Sequence, residues 1–276
     1  MGKGAVFYSE IGKKARDLLT KDYTYDHKLV ISTTTQSGLA FTSNAVNRGD
    51  AFLADISTSF RNKNITADVK VDTKSNIITT ITVDEFAPGA KSIFSFTIPD
   101  HNSGKVELQY RQDYAAITGS IGLKPSPIVE ATGVVGSDGF AVGGELAFDT
   151  ASGNLTKYNA ALNYIQPGFN GSLILADKGD TVKASYLHTV SPTSRTTVAA
   201  EIAHKISKNE NTFTVGGLYE LDILTTVKAR LNNHGKVAAL LQHEWRPKSL
   251  VTISGEVDTK ALDKSAKLGL AIALKP

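Results

Sequence analysis

From about Asp26 onward, apolar and polar residues take turns one by one. Ile65, Ala67, Val69 and Val71 alternate with Thr66, Asp68, Lys70 and Asp72. Val106, Leu108 and Tyr110 alternate with Glu107, Gln109 and Arg111, and Val251, Ile253, Gly255 and Val257 with Thr252, Ser254, Glu256 and Asp258. The same rhythm covers residues 52–60, 140–148, 223–231 and 268–274. A period of two describes strands with one apolar and one polar face. Short polar turns separate them, such as Asn102-Ser103-Gly104, Ser137-Asp138-Gly139 and Lys178-Gly179-Asp180. They recur roughly every 12 to 14 residues, which predicts roughly 18 to 20 antiparallel strands with no domain boundary among them.

A single open sheet of that size would curl and aggregate at its edges, so it must close or split into two stacked sheets. A closed barrel of so many strands is too wide for side chains to fill. Its polar face then lines water and its apolar face points outward into lipid. Strand runs of about 9 to 11 residues fit a tilted membrane crossing. Two soluble sandwich domains are the alternative, and they leave the N-terminal segment unexplained. A soluble barrel that carries an apolar ligand, and a structural or import barrel of the same membrane, are the other functional readings.

That segment has a different period. Between residues 7 and 21, Phe7, Tyr8, Ile11, Ala15, Leu18 and Leu19 share one third of a helical circle, with Glu10, Lys13, Lys14, Arg16, Asp17 and Lys21 on the rest. This predicts an amphipathic helix, loosened by Gly2, Gly4 and Gly12. The organisation is then a helical segment over 1–25 and a barrel over 26–276.

The chain has 276 residues, a formal charge of +3 and no cysteine. Disulfides and thiolate metal sites are excluded, and the charge is too small for a dedicated nucleic-acid binder. No secretory signal is visible at the N-terminus. The six histidines show no metal-ligand spacing, and neither a nucleophile elbow nor a phosphate loop occurs, so neither an enzyme nor a cofactor is expected. The sequons Asn64-Ile-Thr66, Asn154-Leu-Thr156 and Asn170-Gly-Ser172 are expected to stay unmodified without secretion.

Three stretches carry a resemblance. They are Tyr8-Ser-Glu-Ile-Gly-Lys-Lys-Ala-Arg-Asp-Leu-Leu-Thr-Lys-Asp-Tyr23, the Gly122-Leu123-Lys124 triplet, and Tyr219-Glu-Leu-Asp222 followed by Thr225, Ala229-Arg230-Leu231-Asn232-Asn233 and Ala238-Ala239-Leu240-Leu241. With them the chain resembles the mitochondrial voltage-dependent anion channels, the eukaryotic porins, and most of all their plant members. Ile223 departs from the signature. The resemblance implies an all-β fold, a 19-stranded transmembrane β-barrel with an N-terminal amphipathic α-helix in the pore. Its first and last strands, near 27–35 and 265–274, would be parallel neighbours. It further implies a voltage-gated, weakly anion-selective channel passing ATP, ADP and phosphate through the mitochondrial outer membrane. Partners implied are membrane lipids, anionic metabolites, further copies of the chain and cytosolic kinases.

By alternation the lumen-facing bases are Lys70, Lys105, Arg111, Lys183, Lys228, Arg230, Lys236 and Lys267, joined by Lys13, Lys14, Arg16 and Lys21 of the helix. Asp55, Asp68, Glu107, Glu145 and Glu256 oppose them, and the balance predicts a mildly positive lumen. The resemblance places nucleotide contacts at Lys13 and Lys21, and a further contact near Lys236 to Ala238 and Ser254 to Asp258, with Ser254 and Asp258 as its residues. The lipid-facing acid of some animal members has no counterpart on the aliphatic face running from Ile65 to Val71.

Overall fold

A computed structural model describes residues 5–49, 51–191, 195–261 and 266–275. Nineteen strands form one closed sheet. The first ten are β1 (His27–Thr34), β2 (Leu39–Arg48), β3 (Ala51–Asn62), β4 (Ile65–Asp72), β5 (Ile77–Ala87), β6 (Ala90–Ile98), β7 (Lys105–Arg111), β8 (Ala115–Gly122), β9 (Ile128–Ser137) and β10 (Phe140–Asp149). The rest are β11 (Asn154–Gln166), β12 (Phe169–Ala176), β13 (Thr181–Ser191), β14 (Thr196–Lys205), β15 (Glu210–Glu220), β16 (Thr225–Asn232), β17 (Lys236–Arg246), β18 (Ser249–Asp258) and β19 (Lys267–Leu274). Each pairs antiparallel with its sequence neighbours. The ring closes by parallel pairing of β1 with β19, where His27 faces Leu270 and Ile31 faces Leu274. Ser265, the expected start of that last strand, and Gly2 and Gly4 lie outside the described residues.

The hydrophobic layer is on the outside. Phe52, Ile56, Val135, Leu146, Ile253 and Leu268 are all about half exposed or more, whereas the buried apolar set is small and mostly Ala. The molecule exposes 16732 Å², against about 11,500 Å² for a compact soluble protein of this mass. A soluble ligand carrier needs the opposite arrangement, with apolar side chains turned inward, so that reading is set aside. The outward band is what a lipid bilayer covers. No described helix is long and apolar enough to cross a membrane; the crossing elements are strands.

Two expectations change. The helix expected over 7–21 is broken into a 3₁₀ turn, Tyr8–Glu10, and an eight-residue α1, Lys13–Thr20. The Phe7 N–H donates to Glu10 Oε2 at 3.0 Å, and Ile11 N–H donates to Tyr8 O, a tighter winding than α. Gly12 then turns left-handed at φ 67°. A Cβ there would lie 2.7 Å from Ser172 Oγ, so glycine lets the break press against the wall. The second change is Ile223. It lies in the β15–β16 connection, 86% exposed, because Asp222 accepts hydrogen bonds from Leu224 N–H at 2.7 Å and from Thr225 Oγ1 at 2.9 Å and holds a turn.

Candidate functional site: the lumen and the segment inside it

The N-terminal segment runs along the inner wall from the β7–β8 turn to β19. It begins with Ala5 N–H donating to Gln112 O at 3.3 Å and Phe7 lying under Arg111, 5.8 Å from guanidinium carbon to ring centre. Ile11 is 1% exposed among Val134, Ala141 and Ala161. Ala15, Leu18 and Leu19 cover Ala199, flanked by Leu187 and Leu218. Burying side chains such as Ile11, Leu18 and Leu19 contributes roughly 1.5–3 kcal/mol each. The wall makes room with glycines: a Cβ at Gly216 would lie 2.8 Å from Leu19 Cδ2, and one at Gly269 would fall on the Thr24 carbonyl.

Past α1, polar contacts take over. Lys228 Nζ meets Asp22 Oδ2 at 3.1 Å. Arg230 donates to Leu19 O at 2.8 Å, to Tyr25 OH at 2.8 Å and to Glu256 Oε2 at 3.2 Å, and stacks 4.5 Å from the Tyr23 ring centre. Tyr25 OH in turn donates to Glu256 at 2.7 Å. The Ser254 hydroxyl donates to Thr24 O, and Lys267 Nζ sits 5.9 Å from the Tyr25 ring centre. Burial pushes the Tyr25 phenol up to about 12, with Glu256 adding to the shift. Burial does the same to Tyr8, also to about 12, with Glu145 beside it. Tyr8 OH and Tyr23 OH are enclosed without a hydrogen-bond partner among the described residues.

The other face of α1 looks into open lumen. Lys13, Lys14, Arg16 and Lys21 are exposed, and among the described residues none of the four has a carboxylate within ion-pair distance. The wall differs. Lys70 pairs with Asp55 at 3.2 Å, Lys105 with Glu130 at 3.2 Å, Lys228 with Asp22, and Arg230 with Glu256. Strand register puts all eight expected wall bases on the inner face: Lys70, Lys105, Arg111, Lys183, Lys228, Arg230, Lys236 and Lys267. It adds bases that reading the alternation missed: Lys28, Arg48, Arg61, Lys91, Lys157 and Lys205. It adds slightly more acids than bases, among them Asp72, Asp84, Glu130, Asp149, Glu201, Glu210 and Glu220. The wall is thus closer to charge balance than the alternation predicted, while α1 and its C-cap bring four further bases with no carboxylate within ion-pair distance among the described residues.

The four residues expected to meet a nucleotide do not form one cluster. Lys13 follows Gly12, which sits against β12 and β13, while Ser254 and Asp258 are on β18. Ser254 is 1% exposed under the segment and is closed to a ligand in this conformation. Asp258 accepts the Lys260 N–H at 3.0 Å at the strand end. The anchors Asp22, Tyr23 and Tyr25 were not expected; a Tyr-Thr-Tyr run directly after an amphipathic helix was the available signal.

The eukaryotic porin family matches residues 4–269 of the chain. The chain is a eukaryotic porin. Over the full length of both chains it is 60% identical to the mitochondrial outer membrane protein porin of 36 kDa from Solanum tuberosum and 55% identical to mitochondrial outer membrane protein porin 1 of Arabidopsis thaliana. It is 56% identical, again over both full lengths, to the outer plastidial membrane protein porin of Pisum sativum. This porin is therefore a pore-forming channel for metabolites in the mitochondrial outer membrane, and not an enzyme. Lipid surrounds the porin's outer face, and water fills the lumen in which its segment lies.

Proposed function

We propose that the porin is a voltage-gated, weakly anion-selective channel whose selectivity is set by α1. One observation carries this: Lys13, Lys14, Arg16 and Lys21 face the lumen without carboxylate partners among the described residues, while much of the wall's positive charge is neutralised in place. A wide pore discriminates through the field of its lining and does not strip water from the ion. Phosphate, ADP and ATP gain most from such a field, with Lys13 and Lys21 meeting their phosphates. Of the wall bases, Lys183 and Lys236 add to the field, since among the described residues neither has a carboxylate within ion-pair distance. Asp258, beside Lys236 across the β17–β18 pair, completes a weaker contact, and Ser254 joins it only when the segment lifts.

Gating follows if the segment moves. Its docking is partly polar, and two buried phenols lack partners among the described residues, each costing about 1–3 kcal/mol. A charge that crosses 100 mV gains about 2.3 kcal/mol, so a few lysines moving through part of the field suffice. The family likeness also supports self-association within the bilayer and docking of cytosolic kinases at a rim. Insertion into a planar bilayer under a salt gradient tests the channel reading. Reversal on the anion side with closure at both polarities is the expected result; reversal at zero, or on the cation side, removes α1 as the selectivity element.

A further inference from the structure

At the rim where β3 turns into β4 and β5 into β6, the lumen opens into a cleft of about 680 Å³, a size typical of sites for small organic ligands. It lies across from α1, and nothing in the nucleotide contacts proposed above uses it. Its floor is wall: Arg61, Lys63 and Asn64 from β3 and its turn, and Lys91 and Arg111 from β6 and β7. Phe7 of the N-terminal segment also lines it.

The charges in it are unequally satisfied. Lys91 is held by Asp84 at 3.2 Å, and Arg111 lies over the Phe7 ring. Arg61 and Lys63 are exposed, and among the described residues neither has a carboxylate within ion-pair distance. The Glu85 carboxylate at the β5 bulge offsets part of this charge, and the cleft stays net positive. An aromatic ring and two cations without a carboxylate partner lining one cleft suit a ligand that carries both a flat base and phosphates.

We propose that this rim cleft is a second anion site, taking a nucleoside di- or triphosphate with its base against Phe7 and its phosphates on Arg61 and Lys63. It rests on the anion-channel reading above and deepens it. Phe7 belongs to the segment, whereas Arg61 and Lys63 belong to the wall that α1 leaves uncovered, so a bound nucleotide fastens the segment to that wall. Nucleotide then acts on gating as well as being cargo.

The test titrates ATP and, separately, inorganic tripolyphosphate into the full chain refolded in detergent micelles, and follows the amide resonances of Phe7, Asn64 and Gly89 by NMR. Saturable shifts at all three are expected with ATP. Arg61→Gln combined with Lys63→Gln is expected to raise the apparent Kd at least about fivefold. Phe7→Leu is expected to erase the preference for ATP over tripolyphosphate, and Lys13→Gln with Lys21→Gln to leave the rim shifts in place. An unchanged unfolding midpoint in each variant shows that the barrel is intact. Shifts confined to α1, no shifts anywhere, or rim shifts indifferent to Arg61 and Lys63 would overturn the cleft without touching the selectivity reading. A cation-leaning reversal potential with the rim shifts intact would do the converse.

Discussion

Lys228 Nζ lies 3.1 Å from Asp22 Oδ2, and the Lys228 side chain is only 9% exposed. A wall base with so little access to water depends on a carboxylate from the segment that covers it. The two chain regions are 206 residues apart in sequence, so the pair reports directly on whether the segment is seated.

Replacing that carboxylate should therefore unseat it. Asp22→Asn is expected to weaken docking by about 1–3 kcal/mol, since it strands a largely desolvated cation. Trypsin cleavage after Lys13, Lys14 and Lys21 is the measurement, and it should speed up by about tenfold or more. Adding Lys228→Met to the Asp22→Asn variant should partly restore protection. Equal cleavage rates in parent and Asp22→Asn would show that the pair does not hold the segment.

The helix bases make a separate prediction about current. Lys13→Glu with Lys21→Glu should move the reversal potential in a KCl gradient from the anion side to the cation side. Lys248→Gln, at the exposed β17–β18 turn, should leave it nearly unchanged, because a rim charge is screened within about 10 Å at 0.1 M salt. Equal shifts from both changes would mean that net charge alone decides, wherever it sits.

Alkaline pH should loosen the same segment. The Tyr8 and Tyr25 phenols are raised from 10.0 to about 12, so each holds its proton more tightly in the folded protein. Their contribution is complete below about pH 10 and is lost as pH rises toward about 12. Tyrosinate absorbance should show a late-titrating fraction that shrinks in Tyr8→Phe and in Tyr25→Phe, while hydrogen exchange in residues 5–26 rises across that window. A titration complete by about pH 10.5 in the parent chain would contradict this.

The two faces of the wall should respond oppositely to one charge. Ile253→Lys, mid-strand on the outer face of β18, is expected to cost about 2–4 kcal/mol in urea unfolding from lipid vesicles. Thr80→Lys, on the inner face of β5 beside Asp68, should cost less than about 1 kcal/mol, as an exposed pair does. Similar costs at both positions would reverse the assignment of lipid and water.

Which parts of this could be read from residues alone follows from the range of the forces. Alternation is local, so strands such as Ile65–Asp72 are visible in the chain itself, and the outward apolar face follows from the number of strands. Ile223 was misplaced because a single Asp222 side chain ends the rhythm. The helix break was hidden because Gly12 fits a helical wheel; the nearness of Ser172 and Ser185 decides it. The neutralised wall was hidden for a similar reason. Glu130, Glu201 and Glu210 become lumen acids only once register fixes which face each strand turns inward. Segment docking was least legible, since Gly216 and Gly269 carry no pattern of their own and matter only as vacant space beneath Leu19 and Thr24.

The parallel seam between β1 and β19 has a biosynthetic corollary. The first strand emerges from the ribosome early, but its partner at the seam is the last strand to be translated. Until then the growing sheet presents two unpaired edges and a wide apolar surface, an aggregation hazard in water. Closure therefore has to wait until β19 has been made, and until then the sheet's open edges and apolar face need cover from water.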